Sequence, residues 1–111
     1  MTEQNDILIY HIAEVKDWRD ALETGSYRAD SLKSEGFIHC SRREQLWEVA
    51  QRLFAGRQDI VVLEIHPASL PVEIRYEAAP NGVKYPHVYG EIPLEAVHQV
   101  LTLNWERKRL E

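Results

Sequence analysis

The sequence has little cysteine, no long apolar run and no excess of basic charge. Cys40 is the single cysteine, which excludes an internal disulfide and is typical of proteins of the reducing cytoplasm. No stretch is apolar enough to be a signal peptide or a membrane span. The formal net charge of −5 disfavours long-range attraction to nucleic acid. We therefore predict a cytoplasmic protein that neither associates with membranes nor binds DNA non-specifically.

Motifs of several common catalytic centres are also missing. The histidines form no H-x-H, H-x-x-H or H-E-x-x-H pair, so we predict no metal site. No G-x-S-x-G elbow is present to expose a nucleophilic serine. Cys40 is predicted to be a small core residue rather than a nucleophile.

What is present is the composition of an ordinary globular protein. The chain has 111 residues, of which 44% are hydrophobic and 28% are charged. This length suits one modest hydrophobic core. We predict a single domain over residues 1–111, with an ordered core from about residue 7 to residue 105, and we find no repeat, low-complexity segment or linker.

Apolar patterning predicts an α+β domain with the element order β-α-β-α-β-β-β, in which a sheet is flanked by two main helices. Helical spacing predicts one helix that ends at Gly25 and a second that ends at Gly56. Residues 78–90 are predicted to form a long loop with a turn at Asn81-Gly82. The predicted strands are 7–12, which is apolar on both faces and therefore central, and 37–39, 60–65, 72–77 and 97–105.

The most informative stretch is a strand that runs directly into a helix, with the sequence G-F-I-H-C-S-R-R-E. Ser41 and Glu44 have the spacing of a capping box, so Ser41 is the predicted N-cap of the second helix. His39 then lies near the positive end of that helix, where free N–H groups attract anions. Arg42 and Arg43 fall in the first turn, where the helix dipole disfavours cations unless a negative group compensates them.

Two further histidines stand at structural transitions. His11 closes the first predicted strand, and His87 lies in the predicted long loop. Pro86 favours an extended backbone there, which would point Tyr85, His87 and Tyr89 the same way. Long loops with aromatic residues and a histidine are often functional.

We therefore predict that these side chains converge on one cleft. His39 and His87 are the candidate acid–base residues. The candidate ligand contacts are His11, Tyr27, His39, Ser41, Arg42, Arg43, Tyr85 and Tyr89. In the alternative interpretation, each histidine caps a carbonyl or packs as a half-buried polar residue. His66 and His98 have no supporting neighbours and are predicted to be structural or surface residues.

The motifs I-Y-H-I, G-F-I-H-x-S and Y-P-H-x-Y-G together resemble the bacterial domain-of-unknown-function family nine-five-two. The resemblance runs from Ile7 to about Leu103. It implies a fold like that of the ADP-ribosyltransferases, with a mixed, split β-sheet and a cleft that holds NAD in those enzymes. The RNA 2′-phosphotransferases use a related fold.

The resemblance implies a role for each of three histidines. His11 matches the first-strand residue that grips the nucleotide, His39 and Ser41 match the middle motif that holds the cofactor ribose, and His87 lies where a third group is contributed. The pattern departs from the Arg-Ser-Glu and His-Tyr-Glu constellations of the enzymes, because no glutamate is clearly placed in the third role.

Three functions remain open at this point. The first is a transferase-like enzyme that acts on a nucleotide or phosphorylated ligand such as NAD, ADP-ribose or an RNA 2′-phosphate. The second is a non-catalytic module that binds a small molecule or nucleotide, and the third is a structural protein with satisfied core histidines. An NAD-like cofactor is implied by the fold resemblance alone, and the sequence does not decide catalysis or the oligomeric state.

Overall fold

The computed structural model describes residues 7–111, and within this range the chain forms three α-helices and ten β-strands. The polar residues 1–6, which contribute to the prediction of no signal peptide, lie outside it. The helices are α1 (Val15–Thr24), α2 (Asp30–Glu35) and α3 (Arg43–Phe54). The strands are β1 (Ile9–Glu14), β2 (Ser26–Tyr27), β3 (Ile38–His39), β4 (Ile60–Ile65), β5 (Ile74–Ala78), β6 (Lys84–Val88), β7 (Ile92–Pro93), β8 (Val97–Leu101), β9 (Leu103–Asn104) and β10 (Arg109–Leu110). The α+β class is confirmed.

The strands form two three-stranded sheets and two short pairs. The first sheet has the order β1-β4-β8 and the second β3-β6-β5, while β2 pairs with β7 and β9 pairs with β10. Every strand pair among residues 7–111 is antiparallel, so the prediction of a sheet mixed in strand direction is wrong. None of the helices in this range has the length and apolarity needed to cross a lipid bilayer.

The strand β1 joins the two sheets. It forms an edge of the first sheet, so the prediction of a central strand is wrong for that sheet, whose central strand is β4. On its free side Tyr10 pairs with Ser41: the Tyr10 N–H donates to the Ser41 carbonyl at 2.8 Å, and the Ser41 N–H donates to the Tyr10 carbonyl at 2.7 Å. These bonds satisfy backbone groups that an edge strand would otherwise leave unpaired.

Two hydrophobic clusters explain why β1 and β4 are apolar on both faces. One cluster packs the first sheet against α1 and the second sheet, and it includes Ile9, Leu63 and Val88. The other packs the opposite face of the first sheet against α3, and it includes Ile12 and Leu46. Strands covered on both sides read as continuous apolar runs, which is what the sequence of β1 and β4 shows.

The segment 78–90 is not a long loop, and that prediction is wrong. Residues 84–88 form β6, the central strand of the second sheet, and Asn81-Gly82 makes the hairpin turn from β5. Gly82 has a φ of 85°, which a side-chain-bearing residue rarely adopts. Pro86 is unusual at this position, because proline is rare in a central strand. Its carbonyl nevertheless accepts a hydrogen bond from the Cys40 N–H at 3.0 Å.

The start of α3 also differs from the prediction. The helix begins at Arg43, and Arg42, rather than Ser41, is the N-cap residue. The capping contact comes from Gln45, whose Oε1 accepts a hydrogen bond from the Arg42 N–H at 2.8 Å. Ser41 is held in an extended conformation by its two backbone bonds to Tyr10, so the long-range strand contact overrides the local capping signal.

The last predicted strand is shorter in the structure. The strand predicted over 97–105 ends at Leu101, and β9 then pairs with β10. Part of the charged tail is therefore a strand. Trp105 donates a hydrogen bond from its Nε1 to the Arg57 carbonyl at 2.9 Å, which ties this hairpin to the loop after α3.

Candidate functional site

A cavity of about 590 Å³ lies among β1, the second half of α3, the start of α2 and the β5–β6 hairpin. Its volume is in the range of small-molecule sites. The predicted site residues that line it are His11, Tyr27, His39, Ser41, Tyr85 and His87. Tyr89, Arg42 and Arg43 do not line it. The structure thus brings the three predicted histidines together.

His39 and His87 are neighbours because β3 pairs with β6 and sets the two residues opposite each other. Their ring centroids are 5.3 Å apart. Phe37 stacks on the His87 ring at 4.1 Å with an interplanar angle of 16°, which fixes the orientation of that imidazole. His39 is exposed, and its Nε2 lies 3.1 Å from Glu35 Oε2 at the end of α2.

Glu77 orients His87. The His87 Nδ1 lies 2.7 Å from Glu77 Oε1, and Tyr89 donates its hydroxyl to the same oxygen at 2.5 Å. A carboxylate can only accept, so Nδ1 carries a proton, and in the neutral ring the lone pair is on Nε2. The hydrogen bonds from Tyr89 and His87 lower the pKa of the Glu77 carboxyl.

From the sequence, Glu77 is one of several acids that border the predicted loop, and nothing singles it out. The Asn81-Gly82 turn is the signal that could have identified Glu77 as a site residue, because a hairpin across that turn sets Glu77 opposite Tyr85. That register makes Glu77 the diagonal neighbour of His87 on the same face. Because residues 78–90 were predicted to be a loop, this hairpin pairing was not predicted.

His11 is fully engaged within the protein. Its Nδ1 lies 2.5 Å from the His39 carbonyl oxygen, and its Nε2 lies 2.7 Å from the Tyr27 hydroxyl. Because a carbonyl can only accept, Nδ1 is the donor and Tyr27 donates to Nε2. Burial lowers the pKa of His11 to about 4, so the ring is neutral at pH 7. Neither ring nitrogen is left for a ligand.

Ser41 and Tyr27 lie deeper in the cavity wall. Tyr27 is almost fully buried, and burial, followed by the charge of Asp17, raises the pKa of its hydroxyl. Ser41 is 5% exposed, and its hydroxyl has no hydrogen-bond partner among residues 7–111. This hydroxyl is not fully enclosed by protein atoms, so the Ser41 side chain is a polar group that a ligand in the cavity can reach.

Arg42 and Arg43 are compensated by carboxylates, as the helix dipole requires. Arg42 Nε lies 2.9 Å from Glu44 Oε2, and Arg43 Nη1 lies 3.9 Å from Glu64 Oε2. Arg43 Nη1 also donates to the Tyr10 hydroxyl at 3.1 Å. Glu44 and Glu64 do not line the cavity, whereas Tyr10 does. Arg42 Nε is buried and makes no hydrogen bond within residues 7–111, so its contact with Glu44 is one of charge.

Basic and acidic side chains line different parts of the cavity wall. Arg52 on α3 lines it and pairs with Glu48 on the same helix, with Nε 3.0 Å from Oε2. Glu14, Asp17 and Asp30 line the end nearest α1 and α2. Apolar and aromatic side chains make up most of the remaining wall. A ligand with hydrogen-bond donors at one end and a polar or anionic group at the other fits this distribution.

Cys40 contributes no reactive thiol. It is buried, it packs in the cluster that contains Ile9 and Leu63, and burial raises the pKa of its thiol. A thiol with a raised pKa is a poor nucleophile because little thiolate is present. The prediction that Cys40 is a core residue is confirmed.

Comparisons with known proteins find one family model and several solved structures that match most of this chain. The model of the family described as "Protein of unknown function (DUF952)" matches residues 12–100. The crystal structure of protein CC0527 from Caulobacter crescentus is 30% identical, has a TM-score of 0.78, and is matched over 87% of this chain and 88% of that one. The solution NMR structure of CC0527 is 29% identical with a TM-score of 0.75, over 90% and 89% of the two chains. No curated protein matches. The chain belongs to the DUF952 family.

Proposed function

We propose that this chain is a transferase-like enzyme that acts on a nucleotide or phosphorylated ligand bound in the cavity. The observation that carries the proposal is the placement of His87. It is oriented by Glu77 through Nδ1 and stacked on Phe37, and it shares the cavity with His39 and the unpartnered Ser41 hydroxyl. A histidine held by a carboxylate and facing a cavity is a common arrangement for general acid–base chemistry.

In this proposal, His87 moves the proton. With Nδ1 bonded to Glu77, its Nε2 lone pair takes a proton from an attacking hydroxyl. With a phosphate ester the proton returns to the leaving oxygen, and with NAD the nicotinamide leaves as a neutral base and the proton passes to solvent. Glu77 acts as a positioning residue, because it fixes the tautomer and stabilises the imidazolium that forms. Tyr89 shares the same carboxylate oxygen and holds Glu77 in place.

His39, Ser41 and Tyr85 are the proposed ligand contacts. They line the cavity beside His87, and they offer an imidazole, a hydroxyl and an aromatic ring. Such a set suits a ribose or phosphate next to a planar base. We propose that His11 and Tyr27 do not contact the ligand but position His39 through its backbone carbonyl.

The ligand classes follow from the proposed likeness to the ADP-ribosyltransferase fold and from the cavity wall. NAD, ADP-ribose and an RNA 2′-phosphate all combine ribose hydroxyls with phosphate. Arg52 is a cation on the wall that can face a phosphate, and Asp30 is a carboxylate that can accept from a hydroxyl or an amine. Arg42 and Arg43 are not proposed as ligand contacts, because neither side chain lines the cavity.

We also propose that the reaction takes place in the cytoplasm. The single cysteine is buried and free, which suits a reducing compartment. The net charge of −5 suits a small ligand better than non-specific contact with DNA.

A turnover assay tests the proposal. The protein is incubated with NAD, with 2′-phosphorylated RNA, and with both together so that a donor and an acceptor are present, and products are followed by chromatography and mass spectrometry. We expect product from one substrate class, and a loss of about 10²-fold or more in kcat for His87→Asn. His98→Asn, which changes a histidine outside the cavity, is the matched control and should keep full activity. Binding without turnover in the native protein would favour the non-catalytic module, and neither binding nor turnover would overturn both.

A further inference from the structure

A second pair of histidines meets outside the cavity. His66 directly follows β4 and His98 lies on β8, and neither lines the cavity. The His66 Nε2 lies 3.1 Å from the His98 Nδ1, with the two ring planes at 75° and the centroids 4.6 Å apart. His98 is exposed and His66 is half-buried, so a dissolved ion can reach the pair.

An irregularity in the sheet creates this arrangement. The register between β4 and β8 shifts at Glu64 and Ile65, so that Glu64 pairs with Gln99 and Ile65 pairs with Val97. His98 is the extra residue of the resulting β-bulge. A bulge redirects side chains and is common near functional sites. Here it lets two consecutive residues, His98 and Gln99, both approach Glu64.

Glu64 is a buried carboxylate behind the pair. It is 4% exposed, its Oε2 accepts from the Tyr10 hydroxyl at 2.7 Å, and its Oε1 accepts from Gln99 Nε2 at 3.0 Å. The His98 Nε2 lies 3.8 Å from the same Oε1. His98 therefore has one nitrogen towards a fixed carboxylate and the other towards His66.

We propose that His66 Nε2 and His98 Nδ1 bind a divalent transition-metal ion of the zinc class. Two imidazole nitrogens at about 2.0–2.1 Å from one zinc ion are roughly 3.3 Å apart at the tetrahedral angle, close to the spacing found here. Imidazole ligands suit zinc, copper and nickel. A metal-bound histidine almost always turns its other nitrogen to a carboxylate or carbonyl. His98 Nε2 faces the Glu64 carboxylate, with 3.8 Å to Oε1, which is longer than a hydrogen bond.

The proposed site has two protein ligands, and water completes the coordination. No group of three or more His, Cys, Asp or Glu side chains in residues 7–111 is arranged to hold a metal. Binding replaces the N–H···N hydrogen bond between the two rings. The ring that donates this bond moves its proton to its other nitrogen, so two neutral rings release no proton. The inference is independent of the proposed function, because neither of the two metal ligands lines the cavity.

The test is a titration of tag-free, chelator-treated full-length protein with zinc chloride, followed by the NMR resonances of the histidine rings. We expect saturable shifts at His66 and His98 with one equivalent of Zn²⁺, while His11 and His87 stay in place. In the native protein, unmoved His66 and His98 resonances would overturn the proposal. This readout needs no variant and therefore does not depend on whether a variant folds.

Variants then assign the ligands. His66→Asn and His98→Asn should each weaken Zn²⁺ binding by about tenfold or more, and Glu64→Gln by roughly tenfold through the lost carboxylate partner. The matched control is the double variant His39→Asn/His87→Asn, which removes the cavity pair and should bind Zn²⁺ as the native protein does. Equal Zn²⁺ affinity in His98→Asn and the native protein, or loss of binding in the cavity variant, would contradict the assignment.

Discussion

Glu77 and His87 form a carboxylate–imidazole pair with Nδ1 and Oε1 2.7 Å apart, although they stand ten positions apart in the sequence. The pair spans the β5–β6 hairpin, and His87 belongs to the cavity wall. One turn, at Asn81-Gly82, therefore sets the position of an acid relative to a base. The proposed chemistry depends on that hairpin staying in register.

The first prediction concerns the ionisation of Glu77. Hydrogen bonds from Tyr89 and His87 lower its pKa in the folded protein, so Glu77 should titrate below the ordinary glutamate range when followed by carboxyl NMR. A lowered folded-state pKa adds stability above the unfolded-state value of about 4.3, and that stability is lost as the pH falls through the folded-state pKa. In Tyr89→Phe, which removes the first of these bonds, the pKa should move back up. A Glu77 pKa at or above the ordinary value would contradict the geometry.

The second prediction concerns His11 and the pH dependence of stability. Its pKa is about 4 in the folded protein and 6.5 in the unfolded chain, so between these values the unfolded state binds more protons. The contribution of His11 is therefore complete above pH 6.5 and falls by roughly 3 kcal/mol as the pH drops to 4. Denaturant unfolding across this range measures it, and His11→Gln should flatten the curve. A His11 ring that titrates near 6.5 by NMR would show that it is not buried as described.

The third prediction tests whether Tyr27 and His11 position His39 without contacting the ligand. Tyr27→Phe removes the hydroxyl that donates to His11 Nε2, and the free energy of unfolding should drop by about 1–2 kcal/mol. Ligand affinity should also drop, because the His11 bond to the His39 carbonyl loses its support. The control is Tyr76→Phe, at a tyrosine that is 45% exposed, and it should change neither quantity. If Tyr27→Phe retains native stability, the Tyr27–His11 bond is not a structural element.

The fourth prediction contrasts two residues at the start of α3. Gln45→Ala removes the cap on the Arg42 N–H and the hydrogen bond to the Lys84 carbonyl, at 2.8 Å each, and should lower the free energy of unfolding by about 1–3 kcal/mol. Ser41→Ala should leave stability within about 0.5 kcal/mol, because the hydroxyl has no partner in residues 7–111, and it should weaken ligand binding. The opposite order of the two stabilities would support the capping role that the sequence suggests for Ser41.

The fifth prediction concerns Gly90 at the end of the Y-P-H-x-Y-G motif. A Cβ on Gly90 would lie 2.5 Å from Val72 Cγ1, so Gly90→Ala should destabilise the protein by about 1–3 kcal/mol. Val72→Ala removes the obstructing methyl groups. In the double variant, the penalty of the alanine at position 90 should therefore largely disappear, which a double-mutant cycle from thermal or denaturant unfolding measures. Additive penalties would mean that another contact excludes the side chain.

Local patterns were enough to predict α1 with its end at Gly25, the strand at 60–65 and the gathering of three histidines. These features depend on periodicity and on residues that favour one conformation. The converging histidines followed from their places at the ends of predicted elements. What each histidine does there required its partners to be known.

The missed features depend on contacts between distant segments. Ser41 leaves its capping position because Tyr10, far away in the sequence, pairs with its backbone. Residues 84–88 form a strand despite Pro86 because partners on both sides enclose them. His11 has the sequence context of a ligand-binding residue, yet Tyr27 and the His39 carbonyl occupy both its nitrogens. Local sequence does not encode these partners, so propensity alone could not predict them.

The most direct measurement is an NMR titration of the native protein with ADP-ribose, NAD and AMP, read at the histidine ring resonances. If the cavity binds a nucleotide-like ligand, at least one of the three shifts His39 and His87 together and saturably. His66 and His98, outside the cavity, should stay unmoved and serve as internal controls. Unmoved His39 and His87 resonances at saturating concentrations of all three ligands would contradict the proposed function.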